Sequence, residues 1–112
     1  MSIHCLERID PTEISLSPVD LQRQTLEYHL ERYRFAARYV KGRKVLDMAC
    51  GVGYGSALLA KEGGAVQVVG VDINPEAVAE AQKRYASPTV SFRCDSFERA
   101  ITEETFDVII SL

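Results

Sequence analysis

Two hydrophobic rhythms divide this chain near residue 44. Upstream, Leu26, Leu30, Tyr33, Ala37 and Val40 recur at spacings of four and three, one stripe along the face of a helix. Ser17 suits the cap of that helix, Pro18 its first position, and Asp20 its first turn, where unpaired N–H groups favour a carboxylate. Gly42 is the expected left-handed stop. Residues 1–16 show no clear period and read as a leader to the domain at 17–112.

Downstream, apolar residues come in short runs separated by turns and by helical stretches. Lys44–Met48 (KVLDM) is a strand ending in an acid, Cys50–Gly55 a glycine-rich turn, and Ser56–Glu62 a helix stopped by Gly63-Gly64. Val66–Val71 (VQVVGV) is a second strand, closed by Asp72. Asn74 and Pro75 then open a helix reaching about Tyr85, with Val78, Ala81 and Tyr85 inward. Ser87-Pro88 breaks it; Thr89–Arg93 is a third strand and Phe106–Ser111 a fourth.

Strands alternating with helices imply right-handed crossovers and a parallel sheet. The near-continuous apolar runs of the second and fourth strands fit a sheet covered on both faces. The expected fold is α/β, a Rossmann-like doubly wound parallel sheet of strand order 3-2-1-4. The chain finishes at Ile109-Ile110-Ser111-Leu112, in or just past an apolar strand. A sheet stopping there has an open edge, so the expectation is an incomplete sheet from a longer parent. A homodimer through that edge is the alternative way to complete it.

Composition narrows the function classes. With a formal net charge of −3 and no run of Lys and Arg, a dedicated nucleic-acid partner is not expected. Cys5, Cys50 and Cys94 form no CxxC pair, so no metal is expected, and free thiols in a reducing cytoplasm are the plain reading. The first residues carry charges and Pro where a secretory signal needs an apolar run. No stretch approaches the ~20 apolar residues of a membrane span, so a cytoplasmic protein with no membrane partner is expected.

The chemistry concentrates in Val45-Leu46-Asp47-Met48-Ala49-Cys50-Gly51-Val52-Gly53-Tyr54-Gly55. A strand ends in an acid, and a turn of small residues opens a helix. Small residues let a ligand lie against backbone, and N–H groups at a helix start suit a carboxylate or phosphate. A dinucleotide pyrophosphate and the amino-acid end of S-adenosylmethionine both meet that description. Asp47 favours the second, since an acid would repel phosphates while the cofactor carries an ammonium and a sulfonium. The glycines also read G-x-G-x-G, with Ser56 where G-x-G-x-x-G needs its last glycine.

VLDMACGVGYG is similar to the first signature of class I S-adenosylmethionine-dependent methyltransferases, and the resemblance extends over about residues 28 to 112. Asp47 matches the acid and Gly51 and Gly53 the later glycines, while Ala49 departs mildly from the usual first glycine and Cys50 lies within the turn. The resemblance implies that Asp72 holds the ribose hydroxyls, a bidentate contact that carboxylates make well. It implies that Ile73 covers the adenine, and that Asp95 and Ser96, after Cys94, line the base pocket. It further implies that Tyr33, with Arg34 or His29 as alternatives, touches the amino-acid end. The implied cofactor is S-adenosylmethionine and the implied enzyme a methyltransferase, its acceptor expected to be a small molecule. The contacts for that acceptor would lie beyond the fourth strand, so no catalytic residue is named in this chain. Ser111 is the residue expected nearest the transferred methyl.

Competing structural readings attach to the same residues. Asp47 and Asp72 could be turn residues, Asp95 could cap a helix over Phe97–Ile101, and Tyr33 could only pack. His29 reads as solvated, Cys50 and Cys94 as buried small residues, and Glu103, Glu104 and Asp107 as a solvated loop and strand edge. Two other functions stay in view: an NAD(P)-dependent oxidoreductase fragment, and a non-catalytic Rossmann-like module.

Overall fold

The computed structural model describes residues 17–112. The expected leader at 1–16, with His4 and Cys5, lies outside the described residues. Helix α1 (Pro18–Ala37) is followed by β1 (Lys44–Met48), α2 (Tyr54–Lys61), β2 (Gln67–Asp72), α3 (Pro75–Tyr85), β3 (Val90–Cys94), α4 (Phe97–Glu103) and β4 (Val108–Ser111). The four strands form one parallel sheet of order β3-β2-β1-β4, the order expected from the sequence.

The start of α1 follows its local chemistry. Ser17 is extended, and its hydroxyl accepts the Asp20 N–H at 3.1 Å. Its end comes earlier than the glycine suggests. The Arg38 and Tyr39 N–H groups fold back onto the Phe35 and Ala36 carbonyls, closing a tightened last turn. Val40 therefore sits in the connection, still fully buried, and Gly42 takes its left-handed φ of 70° beyond a helix already finished.

At 20 residues α1 is about 30 Å long. The five residues of β1 span roughly 17 Å. Tyr33 lies level with Asp47, near the carboxyl end of β1, so α1 runs against the strand direction and its first turns reach past the sheet. Leu26 accordingly has no core to enter and is 44% exposed, although the period places it on the apolar stripe.

The sheet buries two unequal cores. On one face Val45, Val68, Val90, Phe92 and Ile110 pack with Tyr33, Leu58, Leu59, Val78 and Ala81 of the first three helices. On the other, Leu46, Val69 and Val71 meet Ala100 of α4, with Met48 and Phe106 alongside. In β2 four consecutive residues, Val68 to Val71, are buried, as a two-sided strand requires. In β4 Ile110 is buried and Ile109 is 47% exposed.

Candidate functional site

The carboxyl ends of β1, β2 and β3 carry Asp47, Asp72 and Asp95, and the turn after β1 lies between them. The turn continues the sheet, since the Cys50 N–H donates to the Val71 carbonyl at 3.0 Å. Left-handed backbone then recurs at Ala49 (φ 55°), Gly51 (φ 57°) and Gly53 (φ 95°). These residues do not serve the same end. Beside Gly53 a Cβ would meet the Phe92 ring and Ala81 at 2.8 Å, so the core demands that glycine. Beside Gly51 nothing lies within 4 Å, and Ala49 is exposed; no packing explains their conformation.

Asp72 stands half-buried at the rim. One of its oxygens accepts the Gly51 N–H at 2.9 Å and the other accepts the Asn74 N–H at 2.9 Å. It therefore both closes the turn before α3 and holds the glycine turn against β2. Each carboxylate oxygen keeps capacity for a second donor. Ile73, its neighbour, is 79% exposed and offers an apolar surface beside that carboxylate. The Asp95 N–H donates to the Asp72 carbonyl at 3.1 Å, which brings the third acid to the same rim.

Asp95 does not cap α4. Its carboxylate accepts the N–H of Ser96 at 2.8 Å and faces Arg99 at 3.6 Å, while the Ser96 hydroxyl caps the helix by accepting the Arg99 N–H at 3.3 Å. The shift of one residue follows from geometry, because a cap must stand one position before the first helical residue, here Phe97.

Asp47 lies beneath the turn and not on its open face. It is fully buried, with both oxygens receiving the Tyr33 hydroxyl at 3.0 and 3.1 Å and one receiving the Ser56 hydroxyl at 2.6 Å. Burial pushes its carboxyl up to about 7, against the two hydroxyls, which pull it down. Cys50 is buried close by, and burial, with Asp47 and Asp72 near, pushes its thiol up to about 12. It is a neutral packing group. Cys94, expected to be buried, is exposed at the end of β3, its thiol 3.5 Å from the Ile73 carbonyl.

On the helix side of this region the solvated reading of His29 does not hold. His29 is half-buried, with Nδ1 2.8 Å from the Tyr54 hydroxyl, and burial, with Arg32 near, lowers its affinity for a proton. Arg32 is buried, its guanidinium donating to the Tyr28 hydroxyl at 3.0 Å and lying over that ring. His29 is one of the alternatives named above for the amino-acid end; nothing in the pattern marks Arg32. Arg34 is exposed, in a shallow groove with Ala37, Arg38 and Glu62. Glu104, read as solvated, is half-buried and paired with Lys44 at 2.6 Å and Arg93 at 3.2 Å. Ser111, at the end of β4, borders a groove of about 560 Å³ between that strand, Tyr28, Arg32 and Phe35 of α1, and Tyr39 just after that helix. Among the described residues no His, Cys, Asp and Glu gather as a metal site would need.

Comparison with known proteins places the chain in a family. A profile of the methyltransferase domain family matches residues 45–112. The phthiotriol/phenolphthiotriol dimycocerosates methyltransferase of Mycobacterium leprae is 29% identical over 85% of this chain and 36% of its own. The malonyl-[acyl-carrier protein] O-methyltransferase of Bacillus cereus is 37% identical over 61% of this chain and 25% of its own. The chain thus spans about a third, or less, of the length of these relatives. Among solved structures, the Trypanosoma brucei PRMT1 enzyme-prozyme complex with AdoHcy aligns with a TM-score of 0.58 at 29% identity, over 74% of this chain and 27% of that one.

Proposed function

The chain belongs to the methyltransferase domain family, and from that premise we propose that it forms the S-adenosylmethionine-binding part of a class I methyltransferase. In the whole protein the methyl group goes to a small-molecule acceptor, in a cytoplasmic enzyme that does not act on nucleic acid. The names of two relatives give phthiotriol/phenolphthiotriol dimycocerosates and a malonyl group carried on acyl-carrier protein, neither of them a nucleic acid. No described helix is long and apolar enough to cross a membrane.

One observation carries the assignment of the site. Ala49 and Gly51 hold left-handed backbone on the open side of the turn, where the fold itself places nothing against Gly51. For Ala49 that conformation costs about 1–2 kcal/mol. Strain kept without a packing reason points to a ligand that lies on it. The donor set fits S-adenosylmethionine: Asp72 for the ribose hydroxyls, Ile73 and Ser96 with Asp95 around the adenine, and the turn from Ala49 through Cys50 and Gly51 to Gly53 along the amino-acid end. Asp47 acts on the same ligand from below, through its charge.

When bound, this cofactor supplies a methyl group on a positively charged sulfur, already activated for in-line displacement. The residues of the chain hold and orient it. In well-aligned systems such positioning is worth up to about 7–11 kcal/mol of the barrier. We assign the acceptor contacts, and any general base an oxygen or nitrogen acceptor needs, to parts of the whole protein outside residues 17–112. The isolated chain then binds cofactor without turnover. A homodimer through the β4 edge is the alternative to completion of the sheet by the rest of a longer protein.

Calorimetric titration tests it. S-adenosylhomocysteine binds saturably and NADH does not. Saturable NADH binding with none for S-adenosylhomocysteine makes the chain a dinucleotide fold, and a stable dimer that binds neither makes it a non-catalytic module.

A further inference from the structure

We propose that Tyr33 is a positioning residue for cofactor binding, one that holds the Asp47 carboxyl beneath the glycine turn and couples its proton to the arrival of a cationic ligand. The inference rests on the reading of the site given above and deepens it.

The groups around Asp47 carry the argument. From α1 the Tyr33 hydroxyl reaches both carboxylate oxygens, at 3.0 and 3.1 Å. From α2 the Ser56 hydroxyl donates at 2.6 Å. From the turn comes the Cys50 thiol, from the first residue of α2 the Tyr54 phenol, and from β2 Asp72. Beyond Tyr54 stands His29, bonded to its hydroxyl, its affinity for a proton lowered by burial and by Arg32. None of the groups facing Asp47 is basic. A fully buried carboxylate with two hydroxyl donors and no countercharge is poorly stabilised as an anion, and burial holds it near neutrality as a titrating group.

The missing cation is what S-adenosylmethionine brings. A sulfonium and an ammonium settling on the turn favour the ionised carboxyl, which gives up its proton to the buffer. Below the pH where free Asp47 ionises, binding therefore has to release a proton and weakens as the pH falls. Tyr33 and Ser56 set that pH by stabilising the anion.

The glycine at 55 shows that the tyrosine is built in. A Cβ there would lie 2.1 Å from the Tyr33 ring, so the third glycine of the G-x-G-x-G run makes room for this ring under the turn. Ring and hydroxyl can be separated. Tyr33→Phe keeps the packing against Gly55 and removes only the donor.

The test is calorimetry of the 112-residue chain between about pH 5.5 and 7.5, in buffers of different ionisation heat, with S-adenosylmethionine and S-adenosylhomocysteine. The wild-type affinity for S-adenosylmethionine rises by up to about tenfold per pH unit below its midpoint, with up to one proton released. S-adenosylhomocysteine, without the sulfonium charge, shows a weaker dependence. Tyr33→Phe moves the midpoint to higher pH, Ser56→Ala moves it the same way, and Asp47→Asn abolishes both the slope and the proton release. A merely structural tyrosine would lower affinity equally at every pH. The proposal is overturned if wild type and Tyr33→Phe share one midpoint, or if wild type binds both ligands with no proton released. If neither ligand binds at any pH, the reading of the site itself falls, and this inference with it.

Discussion

The Asp72 carboxylate accepts the Gly51 N–H at 2.9 Å, so the end of β2 holds the turn that follows β1. One acid thereby shapes the surface on which the ligand is proposed to lie and presents its remaining lone pairs to that ligand. Asp72→Ala removes both contributions and is expected to weaken S-adenosylhomocysteine binding by more than tenfold. Asp72→Asn keeps an acceptor for one N–H and falls between. An affinity unchanged in the alanine variant would strip Asp72 of the ribose role.

Gly51 and Gly53 share a motif but answer to different neighbours, and substitution separates them. Gly51→Val meets open space, so the chain stays folded at a cost of about 1–2 kcal/mol for the left-handed backbone, while cofactor binding is lost. Gly53→Val drives a side chain into Phe92 and Ala81 and costs stability first. Urea unfolding beside ligand titration distinguishes the two. A Gly51→Val chain that unfolds would make that glycine structural.

The fit of the Tyr33 ring against Gly55 predicts coupling. Gly55→Ala alone costs about 1–3 kcal/mol by overpacking. In a Tyr33→Leu background the same change costs less, with an interaction energy of at least about 1 kcal/mol in a double-mutant cycle. Additive costs would mean that the ring and the glycine are not matched.

Asp47 gives stability a pH dependence of definite sign. Its carboxyl sits at about 7 in the folded chain against 3.8 for the free side chain. Between those values the folded state keeps a proton that the unfolded state has released. This group's contribution is therefore greatest below about pH 4 and is lost as the pH rises towards about 7, at up to about 1.4 kcal/mol per pH unit. Asp47→Asn should flatten that part of the profile. A variant that keeps the wild-type slope would place the proton elsewhere.

What the sequence made legible is what local chemistry controls. The caps at Ser17 and Asn74, the acid that ends β2 and the strand order all follow from short-range patterns and crossover handedness. The side of the turn on which Asp47 lies was not legible, because it depends on a tyrosine 14 residues upstream folding back across the sheet. His29 was misread for the same reason: its partner Tyr54 is 25 residues away, and helical periodicity reports a face but not what covers it.

The central claim, that the open side of the turn and the acids at the ends of β2 and β3 form one cofactor site, is tested most directly by amide chemical shifts of the labelled chain titrated with S-adenosylhomocysteine. The account predicts that the largest changes fall at Ala49, Gly51, Asp72, Ile73, Asp95 and Ser96, with the far ends of the strands, at Lys44 and Gln67, unmoved. Saturable changes centred on the groove between α1 and β4, with the turn silent, would contradict it.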